Sequence, residues 1–209
     1  MRLILASTSP RRKELLSLLG VPFEVANPTF VEQIEPDVDP VRQVRFFAEE
    51  KARSCAEASP DALILGSDTL ISFDKRILGK PSDLSQARAM LRALCGREHH
   101  VHTAVALHQS SSDVLDVGTE SVTVWLRAFS EAELDDYLRS KESLGKAGAY
   151  SIQGLGGELV SRIEGDFPAV VGLPLRLVAR MLEHRGMKVP VTAEVLYQSR
   201  PYPGWKQFG

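Results

Sequence analysis

The sequence predicts an α/β fold with a mixed central sheet flanked by helices. Apolar runs of strand length alternate with stretches whose apolar residues recur at helical spacing. Asp74-Lys75 sits between two apolar runs as a hairpin turn, and residues 100–108 alternate as a strand. Both are antiparallel signals, so the sheet is mixed rather than purely parallel.

The elements follow in order. Residues 3–6 form a strand that runs into the hydroxyl-rich turn Ser7-Thr8-Ser9. A helix starts there, with Ser9 as N-cap and Pro10 at its first position; Leu15, Leu16 and Leu19 share one face before Gly20 ends it. Residues 23–26 form a strand, followed by a loop through Glu32. Asp39-Pro40 opens a helix to about residue 58. Residues 62–65 and 70–73 are two short strands separated by Gly66-Ser67-Asp68-Thr69, and the second pairs with residues 77–78 across the hairpin. A helix over 84–94 stops at Gly96. In the strand at 100–108, Val101, Thr103, Val105 and Leu107 share a face. Another strand covers 121–127. Ser130 and Glu133 form a capping box for a helix to about residue 139. Residues 143–157 are Gly-rich and read as a functional loop. Strands at 158–163 and 169–171 follow, and Pro174 opens a last helix ending at Gly186. The tail, with Pro190, Pro201 and Pro203, reads as a loose extension. The expected division is therefore a domain over 1–186 and a C-terminal extension over 187–209.

A length of 209 residues fits one large domain or two closely joined lobes. The net charge of -2 leaves no basic excess to neutralise a nucleic-acid backbone, which argues against nucleic acid as a bulk partner. Cys55 and Cys95 make neither a metal-ligand spacing nor a disulfide framework, and read as buried thiols in a reducing compartment. The apolar run at 3–6 is far too brief for a signal peptide or a membrane span. A cytoplasmic protein with no membrane partner is expected.

Five segments look chemical. Arg11, Arg12 and Lys13 crowd the positive end of a helix dipole, where each like charge costs roughly 0.3–1 kcal/mol. With Ser7 and Ser9, they read as a phosphate site, against the alternative of a solvated basic turn. Asp68 lies between two apolar runs, where a lone carboxylate is costly unless paired. It is a catalytic base or metal ligand, or else a turn-capping residue. Lys51 falls on the stripe Val44, Ala48, Lys51 and Cys55, so it points inward or snorkels. Lys80, in Gly79-Lys80-Pro81, stands where a turn positions a phosphate-binding cation, without the spacing of a P-loop. Residues 146–157 hold four Gly together with Lys146, Tyr150 and Gln153. Glycine lets backbone approach a ligand, and a glutamine offers donor and acceptor to a pyrimidine edge; a plain Gly-rich hairpin is the alternative. His99, His100 and His102 split between two faces of a strand and do not read as a zinc site.

Taken together, the chain resembles the Maf family of nucleotide pyrophosphatases. The matching segments are ASTSPRR (6–12), EKA (50–52), GSDT (66–69), ILGKP (77–81), LCGREH (94–99), KAGAY (146–150) with IQG (152–154), and IEGD (163–166) with VGLP (171–174). They occur in the family's order. The resemblance implies two lobes around a deep cleft, as in inosine-triphosphate pyrophosphatase-like enzymes. It implies hydrolysis of a nucleoside triphosphate between its α and β phosphates, with a divalent metal cation, Mg2+ or Mn2+. Asp68 then resembles the proton acceptor, and Arg11, Thr69 and Gln153 match specificity positions. Ser7, Arg12, Glu32, Lys51 and Lys80 match other polar residues of the cleft, and Lys146 and Ser9 belong to the matching segments. Asp68 and Glu32 are the expected metal ligands, and Lys51 is grouped with Asp68 as catalytic. Thr69 with Tyr150 and Gln153 resembles the branch acting on dTTP and UTP. Ser67, where alanine is common, resembles the 7-methyl-GTP branch locally. The expected partner is a nucleoside triphosphate, and a homodimer is left open. A nucleotide-binding regulator of cell division without turnover is the rival from another class.

Overall fold

A computed structural model describes residues 1–208. Its strands are β1 (Leu3–Ala6), β2 (Glu24–Ala26), β3 (Leu63–Phe73), β4 (Arg76–Leu78), β5 (Glu98–Gln109), β6 (Val114–Leu126) and β7 (Val160–Glu164). They form one seven-stranded sheet in the order β2-β1-β3-β5-β6-β7, with β4 paired to β3. β1 lies parallel to β2 and β3, while the other pairings are antiparallel. The helices are α1 (Pro10–Leu18), α2 (Pro40–Ala56), α3 (Leu84–Leu94), α4 (Glu131–Arg139), α5 (Phe167–Val171), α6 (Leu175–His184), α7 (Ala193–Ser199) and α8 (Trp205–Phe208).

The period-2 alternation of the strands divides the core. Leu3, Leu5, Leu63 and Leu65 join a large apolar cluster under α1, α3, α4 and α6. Ile4, Ala6, Ile64 and Leu70 face the other way, onto Val44, Phe47, Ala48 and Ala52 of α2. One helix thus covers one face of the sheet near β3, and this is the face on which Lys51 lies. Local signals set several boundaries. Asp39 caps α2 by accepting from the Arg42 N–H at 3.0 Å, the Ser130–Glu133 capping box is formed, and Asp74 and Lys75 both take positive φ in the hairpin turn.

Four expectations fail for physical reasons. Residues 62–65 and 70–73 are not separate strands. Ser67, Asp68 and Thr69 pair in register with Val105, Ala104 and Thr103, and β3 runs unbroken for 11 residues. Gly66 permits this because a Cβ there would lie 2.2 Å from the Ala48 carbonyl oxygen of α2. Residues 169–171 are helical rather than extended: Asp166 accepts from the Ala169 N–H at 3.1 Å and proline occupies the first turn, overriding the β preference of Val170-Val171. Ser9 holds the N-cap position of α1 but makes no side-chain cap bond; Ser7 Oγ accepts from the Ser9 N–H instead, at 3.2 Å. The tail is not loose, and the helix after Pro174 is not the last. Thr192 caps α7, and Val189, Ala193, Leu196, Tyr202 and Trp205 are buried in the large cluster. Trp205 stacks on Phe167 at 6.1 Å and meets Tyr197 edge-on at 4.9 Å. The Tyr197 hydroxyl donates to Asp166 Oδ1 at 2.5 Å. The expected division at 186 therefore runs through a single core.

Among the described residues, no helix is long and apolar enough to cross a membrane. Both cysteines are free; Cys55 is buried as expected, but Cys95 is only half-buried, its Sγ accepting from the Phe129 N–H at 3.4 Å.

Candidate active site

The centre of the site is where α2 crosses β3. Gly66 lets the helix lie directly on the strand, so a side chain from each meets its neighbour at short range. Lys51 points inward and does not snorkel, with 7% exposure. Its Nζ donates to Asp68 Oδ1 and to Glu32 Oε1, each at 2.5 Å. Asp68 is 4% exposed, and its second oxygen, Oδ2, is buried with no hydrogen-bond partner. Arg12 Nη2 stands 4.0 Å from Oδ1. Burial pushes the Asp68 carboxyl up from its ordinary value, against the pull of Lys51 and Arg12. Glu32 goes the other way: burial raises it, but the Lys51 hydrogen bond and the charges of Lys51, Lys80 and Arg12 outweigh that and hold it low. Two carboxylates on one ammonium, driven apart in proton affinity, are the usual mark of a divided acid–base role.

The cations are held by named partners. Arg12 donates through Nε to the Gly172 carbonyl at 2.9 Å and through Nη2 to Thr69 Oγ1 at 3.1 Å. Thr103 donates to the Ala169 carbonyl at 2.7 Å, so at 2.9 Å from it Thr69 must give its own proton to Thr103. The Thr69 oxygen is thereby left to accept from Arg12. Arg11 donates to Ser151 Oγ at 3.2 Å. The Gly79 carbonyl accepts from the Gly148 N–H at 3.2 Å and ties the Lys80 turn to the Gly-rich loop.

Ser7, Ser9, Arg11, Arg12, Glu32, Lys51, Asp68, Thr69, Lys80 and Lys146 all line one cavity of about 400 Å³. That volume falls within the roughly 300–1,000 Å³ of small-molecule sites. Gln153, expected to face a base, does not line it. It is half-buried, beside rather than in the cavity wall. Its neighbours Ser151 and Ile152 do line the cavity, as does Tyr150. The loop glycines accommodate the protein itself rather than a ligand: a Cβ at Gly154 would lie 2.0 Å from Glu142 Oε2, and one at Gly157 would lie 2.5 Å from the Ile152 carbonyl.

A family model described as Maf-like protein matches residues 2–185. The chain belongs to the Maf family. Relatives named dTTP/UTP pyrophosphatase come from Bacillus velezensis, 43% identical over 90% of this chain and 98% of the relative, and from Bacillus cytotoxicus, 44% identical over 87% and 94%. A solved structure of the Staphylococcus aureus Ham1 protein overlaps 60% of this chain and 72% of its own at 12% identity, with a TM-score of 0.42.

Within this Maf chain, the residues present fit a hard divalent cation. The partnerless Oδ2 of Asp68 and the Glu32 carboxylate are oxygen donors on either side of Lys51. Among the described residues, no group of three or more His, Cys, Asp or Glu gathers into a metal cluster, so the two carboxylates fit an ion that takes its other ligands from phosphate and water. His99 shares a hydrogen bond of 2.7 Å with the Tyr150 hydroxyl, and burial lowers it to about 4. His100 stacks on His102 on the opposite face of β5. Sequence reasoning missed Thr103, Ser151 and Tyr202, each a neutral hydroxyl whose importance comes from contacts 34 or more residues distant. It also missed Asn27 and Phe30 of the cavity wall, which carry no local signal.

Arg11→Ala is expected to raise the KM for a nucleoside triphosphate about tenfold or more while leaving the apo melting temperature within about 2 °C. The lost Ser151 bond and the relieved dipole repulsion are each of order 1 kcal/mol and opposite in sign. A large fall in melting temperature with unchanged KM would make Arg11 structural.

Proposed function

We propose that this chain hydrolyses nucleoside triphosphates between the α and β phosphates, releasing the monophosphate and pyrophosphate, with dTTP and UTP preferred. One observation carries the reading: the Asp68–Lys51–Glu32 cluster lies in the wall of the cavity that Arg11, Arg12, Lys80 and Lys146 also line. A polyphosphate needs such an excess of cations, and a water attacking it needs one carboxylate of raised proton affinity.

The steps follow from the chain's own groups. The uncapped N-terminus of α1, with Ser7, Ser9 and Arg11, binds phosphate oxygens. Arg12 is held rigid by Gly172 and Thr69, so its charge is aimed before substrate arrives. Asp68 takes a proton from water as the water oxygen bonds to phosphorus. The bridging P–O bond breaks and its electron pair leaves with the departing phosphate. Lys51 keeps Asp68 and Glu32 in place, and with Lys80 and Lys146 it offsets the charge that builds up on the leaving oxygen. A divalent cation held by Asp68 and Glu32 would supply further neutralisation of the phosphates. The end of the cavity lined by Tyr150, Ser151 and Ile152 is where a base is read. The free thiols of Cys55 and Cys95 agree with a reducing, cytoplasmic setting.

Ser67, the local likeness to the 7-methyl-GTP branch, is fully buried and donates to the Gly172 carbonyl at 3.1 Å, so it supports no contact with a base.

Products from purified protein with Mg2+ or Mn2+ test the reading. Pyrophosphate with dTMP from dTTP is expected, with kcat/KM for dTTP and UTP above that for dCTP and the purine triphosphates. Orthophosphate as the only inorganic product would make it a γ-phosphatase, and tight binding without turnover would make it a nucleotide-binding regulator.

A further inference from the structure

We propose that Tyr197, on the C-terminal segment beyond the family match, is a positioning residue for hydrolysis: its hydroxyl clamps the turn whose Gly172 carbonyl aims Arg12. The inference rests on the triphosphate-hydrolysis reading above.

The turn joins α5 to α6 and consists of Gly172, Leu173 and Pro174. It belongs to the site, since Val170 and Val171, just before it, line the cavity. The Gly172 carbonyl accepts from Arg12 Nε at 2.9 Å and from Ser67 Oγ at 3.1 Å. Within α5, the Ala169 carbonyl accepts from Thr103, which leads through Thr69 to the Nη2 of the same guanidinium. Both hydrogen bonds that hold Arg12 therefore trace back to α5 and its end. The approach is close: a Cβ at Gly172 would lie 3.4 Å from Thr69 Oγ1 and 3.5 Å from Arg12 Nε.

Neither end of this turn is held by its own helix. α5 spans only five residues, too few for its own hydrogen bonds to sustain it. It depends on its N-cap, Asp166, which accepts from the Ala169 N–H at 3.1 Å. α6 begins after Pro174, whose side chain cannot cap it, so the Arg176 N–H in its first turn needs an acceptor from elsewhere. The Tyr197 hydroxyl serves both ends. It accepts from the Arg176 N–H at 3.3 Å and donates to Asp166 Oδ1 at 2.5 Å. A hydroxyl has one proton and two lone pairs, so the two roles are compatible. The ring is fixed in turn, with the Arg176 guanidinium 4.2 Å over its centroid and Trp205 edge-on at 4.9 Å. One oxygen from outside the two helices thus spans the turn.

An arginine aimed beforehand stabilises charge in the transition state without reorganising as the reaction occurs. Loosening its acceptor lowers kcat more than it weakens binding, because Ser7, Ser9, Arg11 and Lys80 still line the cavity for the phosphates.

The test uses the full-length protein and dTTP at pH 8, above the titration of Asp166, which burial raises to about 6. Tyr197→Phe keeps the ring and removes the hydroxyl. It is expected to lower kcat about tenfold, the scale of one lost hydrogen bond, with KM within about threefold. The Gly172 and Leu173 amide hydrogens, both bonded to the Pro168 carbonyl, should exchange faster than in the parent. A double variant separates aim from general loosening. In an Arg12→Ala background, Tyr197→Phe should change kcat less than about twofold, because the group it positions is gone. The same tenfold loss with and without Arg12 overturns the proposal. So does an unchanged kcat in Tyr197→Phe, or unaltered exchange at Gly172 and Leu173. A raised KM at constant kcat overturns it too, and would make the hydroxyl a support of the Val170–Val171 wall alone. If the parent releases no pyrophosphate from any nucleoside triphosphate, the hydrolysis reading fails first and the inference falls with it. An active parent with an unaffected Tyr197→Phe sinks the inference alone.

Discussion

Asp68→Asn is expected to lower kcat by about 10²–10⁴-fold on every substrate while the fold persists. The amide keeps the shape and can still accept from Lys51, and Lys51 keeps its Glu32 partner. It cannot take a proton from water, and it is a poor ligand for a cation. The pH dependence gives a second readout. Burial raises the Asp68 carboxyl, and only its ionised form can act as base, so kcat/KM should be lost as pH falls through that titration. The acid limb should be absent from the residual rate of the variant. A well-folded Asp68→Asn protein with near-normal turnover would remove Asp68 from the chemistry and leave the cavity as a binding site alone.

Deleting residues from Met187 onward is expected to destabilise the protein by about 5 kcal/mol or more, enough to consume much of a typical domain's 5–15 kcal/mol. Leu196, Tyr202 and Trp205 each bury a large side chain, worth roughly 1.5–3 kcal/mol apiece. Their loss also uncovers Phe167 and leaves the short bond between Tyr197 and Asp166 unmade. Urea or thermal unfolding of the truncated chain checks this. Trp205→Ala alone should cost about 3 kcal/mol, the usual value for a buried large aromatic. A truncated protein with the parent's melting temperature would show that the segment packs without contributing.

The sequence is readable where its signals act locally. Caps and punctuation were the most reliable guides: Asp39, Gly96 and the Ser130–Glu133 box mark helix ends that the structure keeps, because their effect is local. The failures share a cause. Gly66 to Thr69 looks like a break only when the hydroxyl and carboxylate partners of Ser67, Asp68 and Thr69 are unknown, and those partners lie 17 to 105 residues away. Residues 187–208 look loose because their prolines are visible in the sequence, whereas the ring of Phe167 that they cover is not. The charged groups of the site could be read directly, since an inward Lys51 on an apolar stripe and a carboxylate between apolar runs are anomalies in themselves. Gln153 has the chemistry to read a base, but the structure sets it outside the cavity lining, which no local pattern in the loop announces.

The unbroken course of β3 has a mechanical meaning. The Asp68 carboxylate sits at the middle of β3, which is paired there with β5 and pressed from one face by a helix at the closest distance glycine allows. The parts that would read a base, Tyr150, Ser151 and Ile152, are carried instead by a loop outside the strands, between two short helical turns. A ligand therefore meets a stiff anvil at its phosphates and a more compliant grip at its base. Adjustments to a new nucleobase can accumulate in the grip without disturbing the anvil, so one bond-breaking apparatus can serve a changing repertoire of bases.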